Sequence, residues 1–518
     1  MSLDSALLDA ARAAFAGDAP ALTLGAVQHG TEAHPEPLVR IPLAMLNRHG
    51  LIAGATGTGK TKTLQLVAEQ CASAGIPVLV ADVKGDLQGL AAAGEPSDRV
   101  RARAQETGHA WAPAAFPVEF LSLSGQQGAQ LRATVSSFGP MLLAKVLGLN
   151  DTQTSVLTLV FKYADDKGLL LLDFTDLRAV LEWLTGDGAA ELKQYGGMSK
   201  QTVGVLLREM VELEAQGAMA FFGEPEFELE DLMVTTNGVG RISVLELADV
   251  QDKPRLWSTF LMWMLAQLQA SLPEEGDLDK PKLVFFFDEA HLLFDDASKA
   301  LQEQIEQVVR LIRSKGVGVF FITQSPKDLP SEILGQLGHK VQHALRAFTP
   351  DDEKAMKAAA RTFPKTAFYD VQETLTSLGI GEALVTVLTP RGTPTPPFAT
   401  RLIPPASRMA ALPPTEFAAQ LASSAQVRKY AEALDRDSAR EMLERSRAQT
   451  QTTSLDGPTE ELPGEAVRGS SGARPAGRRT AEKSTIQKVL ESPTTRAVAT
   501  QLTRTLLGAL LGSPRRRR

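Results

Sequence analysis

Eight consecutive residues, Gly54-Ala55-Thr56-Gly57-Thr58-Gly59-Lys60-Thr61, carry the G-x-x-x-x-G-K-[ST] pattern of a phosphate-binding loop. The residue types suit that chemistry. Glycines let backbone N–H groups converge on an anion, Lys60 would reach the β- and γ-phosphates, and the Thr61 hydroxyl would hold Mg²⁺. Lys62 extends the expected contact set. The flanks agree. Leu51-Ile52-Ala53 is a short apolar run that reads as a buried strand. Leu64, Val67, Ala68, Cys71 and Ala72 recur at helical spacing, and Gly75 and Pro77 stop the helix. A strand, a Gly-rich loop and a helix N-terminus together suit a polyphosphate. The expected ligand is ATP with Mg²⁺.

A second constellation narrows the chemistry. The apolar run Lys282-Leu-Val-Phe-Phe-Phe ends in Asp288-Glu289. An Asp at the tip of a buried strand can bind Mg²⁺, and an adjacent Glu can orient and deprotonate the attacking water. The structural alternative is that both merely cap the next helix. Lys60 and Asp288 are 228 residues apart, room for an inserted strand and a helical block. Asp288-Glu289-Ala290-His291 also spells a DEAH box, but the arginine-rich Q-x-x-G-R-x-x-R signature that accompanies it in helicases is missing. His291 is therefore expected to pack or hydrogen-bond. The next strand ends Ile322-Thr323-Gln324, where Gln324 could sense the γ-phosphate or hold the lytic water. Ahead of that strand, Arg313, or as second choice Arg310, could enter a neighbouring subunit's site as an arginine finger. An ordinary solvated helix arginine is the competing reading for either.

The elements that must position these groups read as α/β. Strands at Pro77-Val-Leu-Val-Ala-Asp82, 118–122, 241–247, 282–288 and 317–323 alternate with helical stretches, which implies a mostly parallel sheet covered on both faces. Residues 1–40 read as a lead-in and 41–404 as the nucleotide-binding core. A helical insertion is expected at about 130–235, because Leu142, Val146, Val156, Leu177 and Leu184 fall at helical spacing. Residues 405–449 form a charged helical segment and 450–484 a disordered, Pro/Gly/Thr-rich linker. Over 485–518 an amphipathic helix ends in four arginines. That tail could dock on the protein itself, or bind DNA or an anionic membrane.

Composition bounds the partners. The chain has 518 residues, a net charge of −7 and one cysteine, Cys71. An internal disulfide and a cysteine-based zinc site are excluded, and a reducing cytoplasm is expected. No secretory signal is visible, and no apolar run reaches the ~18 residues of a membrane span. A chain-wide basic field for nucleic acid is absent, so DNA contact would need a local lining. Lys193, Lys200, Arg208, Lys327, Lys340 and Arg346 are its candidates.

Taken together, residues 54–61, Ala81-Asp82-Val83-Lys84-Gly85-Asp86-Leu87, Phe287-Asp-Glu-Ala-His291, Arg313 with Lys315-Gly316, and Thr323-Gln324 resemble the HerA/FtsK superfamily of P-loop ATPases. Within it the chain is most similar to the HerA-like YjgR group, over roughly residues 20–404. The resemblance implies a RecA-like core, a homo-hexameric ring, ATP hydrolysis and movement along or unwinding of double-stranded DNA. It implies that Lys60, Thr61, Asp288, Glu289 and Gln324 act in one subunit and Arg313 on the neighbour's nucleotide. A nuclease or other protein partner is left unspecified. Two departures stand out: with about fifty residues before Gly54 a full β-barrel like that of HerA itself is not expected here, and neither FtsK-type membrane spans nor a winged DNA-reading domain is expected from these residues. The alternatives are a ring ATPase that remodels protein or membrane-bound assemblies without DNA, and a slow nucleotide switch.

Overall fold

Apolar runs without polar alternation require burial on both faces of a sheet. The computed structural model describes residues 3–294, 299–347, 349–434 and 436–455 and places those runs in such a sheet. In chain order the strands are β1 (Ala21–His29), β2 (Glu32–Pro42), β3 (Gly50–Ala53), β4 (Val78–Asp82), β5 (Val118–Ser122), β6 (Ala129–Gln130), β7 (Thr235–Thr236), β8 (Val239–Gly240), β9 (Ile242–Glu246), β10 (Leu283–Phe287), β11 (Val317–Thr323), β12 (His339–His343), β13 (Glu382–Thr386) and β14 (Phe398–Leu402). Twelve form one sheet, ordered β2-β1-β14-β13-β12-β3-β11-β10-β4-β9-β5-β6, and β7 and β8 pair separately. From β12 to β6 every neighbour is parallel. From β12 through β13, β14 and β1 to β2 every neighbour is antiparallel.

Alternation along the central strands divides the core. Leu79, Ala81, Phe285, Phe287, Val319 and Phe321 join one apolar cluster. Val78, Val80, Val284, Phe286, Phe320 and Ile322 join the other, together with Leu64, Val67, Ala68 and Cys71 of the helix Lys60–Ser73. The helical face expected for that segment is thus the face that packs on the sheet.

Residues 1–40 differ from the expected lead-in. They carry a helix (Leu3–Ala14), β1 and most of β2, which close the antiparallel flank. Pro35 and Pro37 masked the pattern, and they are tolerated because β2 is the edge strand and its pairing with β1 passes from His34 to Leu38, leaving residues 35–37 out of the ladder. Val39 and Ile41 are fully buried from it.

Residues 130–235 are mainly helical, with long helices at Val135–Val146, Asp151–Lys167, Phe174–Thr185 and Lys200–Ala215. Asn150 and Asp173 open two of these with reciprocal capping boxes. Phe138, Phe174, Phe221 and Trp263 fill the apolar space beneath.

The core also runs past residue 404. Glu69, on the helix Lys60–Ser73, accepts from Ala406 N (2.7 Å), Ser407 N (3.0 Å) and Ser407 Oγ (2.7 Å). Tyr430 is buried and donates its hydroxyl to Asp231 at 2.7 Å. One compact unit extends to Leu443, and the remainder begins at Glu444. A helix spans Ala439–Leu455, so the first residues of the expected linker are helical. The rest of that linker and the terminal helix expected over 485–518 lie outside the described residues. Among the described residues no helix is long and apolar enough to cross a membrane.

Candidate functional site

The loop after β3 arches over the ends of its neighbours. Gly54 N donates to Thr323 O at 3.3 Å and Ala55 N to Ala344 O at 2.9 Å. Gly54 has φ 154°, and a Cβ there would meet His343 Cβ at 2.5 Å, so the close approach requires glycine. Gly59 (φ 115°) caps the helix that starts at Lys60. Thr56 and Gly57 face solvent, whereas Thr58 and Lys60 are buried. Lys60 Nζ donates to Ala55 O at 3.3 Å, and Thr58 Oγ1 donates to the same carbonyl at 2.7 Å. Burial lowers the Lys60 pKa, and the nearby charges of Glu289 and Asp288 act against that. Thr61 and Lys62 are half-buried at the first turn. Lys62 Nζ donates to Gln65 Oε1 at 3.2 Å, and burial lowers its pKa too.

Beneath the loop lies His343, which pairs through Nε2 with Thr63 Oγ1 at 2.8 Å. Burial, then the Lys60 charge, brings its pKa down to about 4, so the imidazole is neutral near pH 7.

Carboxylates close adjacent strands. Asp288 and Glu289 follow β10, Asp82 ends β4, and Glu246 ends β9 in register with Asp82. Asp82 accepts from Lys84 N (3.0 Å), Gly85 N (2.9 Å) and Leu87 N (2.8 Å), which pins the turn after β4. Burial pushes Asp82 up to about 6, with Asp86 adding repulsion. Burial and Glu289 push Asp288 up to about 7. Burial and Asp82 push Glu246 up to about 8. Carboxylate oxygens of Asp82, Asp86 and Asp288 lie within 4.8 Å of one another. Asp288 Oδ2, Asp86 Oδ1 and both Glu246 oxygens are buried without a hydrogen bond. An orphaned carboxylate oxygen in a residue only 4% exposed is the kind of group that a divalent cation would satisfy, so Asp288 fits a Mg²⁺ ligand.

Glu289 has φ 47° and ψ 48°, a left-handed backbone unusual for a non-glycine residue. Its Oε1 is paired with Lys84 Nζ. Its Oε2 lies 3.4 Å from His291 Nδ1, and neither atom makes a hydrogen bond. His291 sits on a short 3₁₀ turn, Ala290–Leu293, and not on a regular helix.

Gln324 is exposed at the tip of β11. It lines a cavity of about 610 Å³ with Ala55, His291, Lys327, Asp328 and Arg346. Asp328 Oδ2 accepts from Thr323 Oγ1 and Ser325 N, both at 2.8 Å, and so fixes the turn that carries Gln324. The phosphate loop, Gln324 and Asp288-Glu289 thus follow β3, β11 and β10, three neighbours in the sheet. Arg313 is not among them. It is exposed on the turn Arg313–Lys315 that precedes β11, at the opposite end of that strand, and Arg310 lies in the last turn of the helix before it.

Of the basic residues considered for a nucleic-acid lining, Lys340 is committed internally, donating to Thr362 O at 2.8 Å. Lys193, Lys200 and Arg208 are exposed on the helical insertion. Lys84, Glu246 and His343 were not singled out from the sequence. One signal did exist for Glu246: like Asp288, it is an acid terminating an apolar run, Ile242-Ser-Val-Leu.

Comparison with known proteins adds to this geometry. The family model described as "Helicase HerA-like C-terminal" matches residues 28–518. A probable helicase of Methanocaldococcus jannaschii is 30% identical over 155 residues, 28% of each chain. The DNA double-strand break repair helicase HerA of Sulfurisphaera tokodaii is 26% identical over 151 residues, 28% of this chain and 29% of that one. The matched stretch is therefore less than a third of either relative's length. Among solved structures, the bacterial conjugative coupling protein TrwB, lacking its first 70 residues, superposes with a TM-score of 0.51 at 15% identity, covering 78% of this chain and 93% of that one. That likeness is one of fold.

Proposed function

This chain belongs to the HerA-like helicase C-terminal family, and on that premise we propose that it is a motor that hydrolyses ATP and works on double-stranded DNA as a homo-hexameric ring. The observation that carries the hydrolytic reading is the alignment of Lys60, Gln324 and Glu289 behind three adjacent strands, β3, β11 and β10. Such a row suits one triphosphate with its attacking water. Ligands of parallel sheets sit at the carboxyl ends of the strands, where these residues lie.

In this reading the backbone N–H groups of residues 54–61 and Lys60 hold the β- and γ-phosphates. Thr61 and Asp288 would hold Mg²⁺, which when bound would supply charge neutralisation for the phosphates. Lys62 stands at the edge of the phosphate contacts. Glu289 accepts a proton from the attacking water, and Gln324 orients that water against the γ-phosphate. Arg313 arrives from a neighbouring subunit. The neutral His343 holds Thr63 and backs Gly54, keeping the loop in shape without placing a second positive charge under Lys60. A cytoplasmic location suits the single, buried Cys71.

DNA is proposed because the relatives are named helicases and one is named for double-strand break repair. The test is steady-state ATP hydrolysis at low salt with and without long duplex DNA, using Lys60→Ala as the blank. Several-fold stimulation that fades with salt is expected, because phosphate contacts release counterions. A robust rate indifferent to DNA would favour a protein- or membrane-remodelling ring. No hydrolysis above the blank would remove the motor reading.

A further inference from the structure

Lys84 and Glu289 follow different strands, β4 and β10, and meet as an ion pair. Lys84 is fixed by its backbone: Asp82 accepts from Lys84 N and from Gly85 N, so the stem of the lysine leaves β4 from a pinned turn. Its side chain is 49% exposed, whereas that of Glu289 is only 7% exposed. The ammonium therefore lies over a buried carboxylate as a lid that can reach water. An oxygen already bonded to an ammonium has less charge to offer a water molecule. Glu289 Oε2, the other oxygen, is buried beside His291 without a hydrogen bond. Lys84 also stands close enough to Lys60 for their like charges to be felt, which places it beside the phosphate end of the site.

We propose that Lys84 is a positioning residue that latches Glu289 in a resting state, and that opening this ion pair is a required step before each hydrolysis. The proposal rests on the hydrolytic reading above and names a control on it. A half-exposed lysine–carboxylate pair is weak enough to open repeatedly, since solvent screens it and the lysine stem is flexible. The approach of a γ-phosphate supplies the competing anion. Lys84 then turns outward or toward the phosphate, and Glu289 is left free to take the water's proton.

Two measurements test the latch. The first is ATP turnover without DNA. Lys84→Met is expected to raise kcat by up to about fivefold, the strength of one such pair, with KM changed less than about twofold. Lys84→Arg, which keeps the cation, should reverse most of that gain. A kcat that is unchanged or lower in Lys84→Met, or a KM raised at constant kcat, overturns the proposal, the latter by making Lys84 a phosphate ligand. The second measurement needs no turnover, so it separates failure of the latch from failure of the ATPase reading. Reductive methylation of the intact chain, read at Lys84 by mass spectrometry, should run several times faster in Glu289→Gln than in the natural sequence. It should also speed up when the Mg²⁺ complex of a non-hydrolysable ATP analogue is added to the natural sequence. Equal labelling rates in all three states overturn the latch even if ATP is hydrolysed.

Discussion

Arg313 and Gln324 stand at opposite ends of one strand. Arg313 opens the turn that leads into β11, and Gln324 follows the last residue of β11, Thr323. Seven strand residues at about 3.3 Å each put roughly 23 Å between the two edges. An arginine side chain cannot cover that span, so Arg313 cannot touch the nucleotide held by its own Lys60. Any nucleotide that it serves would have to lie on another copy of the chain. Arg313→Ala should therefore lower kcat by about 10³-fold, the usual scale for an arginine finger, while leaving nucleotide affinity nearly unchanged. Mixing inactive Arg313→Ala with inactive Glu289→Gln should restore part of the activity, because some interfaces then join an intact Arg313 to an intact Glu289. Mixed rings as dead as either parent would sink the assignment in trans.

Glu289→Gln separates binding from chemistry. The amide keeps the size and the left-handed backbone of this buried position but cannot take a proton. Loss of a positioned general base costs on the order of 10²–10⁴ in rate, and most of that should appear in kcat. Nucleotide binding, followed by a fluorescent ATP analogue, should survive. Lys60→Ala should instead lose the binding itself. If Glu289→Gln hydrolysed ATP at the natural rate, the proton acceptor would have to be sought elsewhere, with Asp82 next in line.

How far the sequence led depends on what each residue's neighbours in the chain could reveal. The phosphate loop, β10 and β11 were legible because a glycine pattern and unbroken apolar runs are local signals. β2 was not, because Pro35 and Pro37 argue against a strand until the strand is known to be an edge. The boundary set at residue 404 was drawn too early, because Ser407 and Tyr430 are single anchors in a polar stretch. Their partners, Glu69 and Asp231, lie far away in sequence. The Lys84–Glu289 pair was invisible for the same reason: only the β4–β10 register brings them together.

The acid row predicts a pH dependence of stability. Glu246 is raised from 4.5 to about 8 by burial and by Asp82, so the folded chain retains a proton that the unfolded chain releases. Between those values stability must fall as pH rises, and the penalty is complete above the folded value. Asp288, raised to about 7, acts in the same direction. Glu246→Gln should thus raise Tm more at pH 8.5 than at pH 5. Added Mg²⁺ should stabilise the natural chain more at the higher pH, because Asp82 and Asp288, raised to about 6 and about 7, are then both charged. Equal effects of Glu246→Gln at both pH values would mean that the carboxyl is already ionised in the folded state.

Glu69 ties the segment after the core to the helix that carries Lys60. It is 3% exposed and accepts three hydrogen bonds from residues 406–407. Burial raises its pKa, and those donors oppose the shift. Gln65 joins the same junction, donating to Ser407 Oγ at 2.7 Å and to Arg408 O at 2.9 Å. Glu69→Ala would leave two backbone N–H groups and a hydroxyl unpaired in the interior, at about 1–3 kcal/mol for each group that water cannot reach. A total loss of roughly 3 kcal/mol is expected, read as a shift in the urea midpoint at unchanged slope. Ser407→Ala removes only the hydroxyl and should cost about 1 kcal/mol. Because the two residues share a bond, the double variant should cost less than the sum of the single ones. Additive costs would show that the strap is held by its backbone contacts alone. A Glu69→Ala chain as stable as the natural one would show that residues 405–408 are not anchored to the phosphate-loop helix in solution.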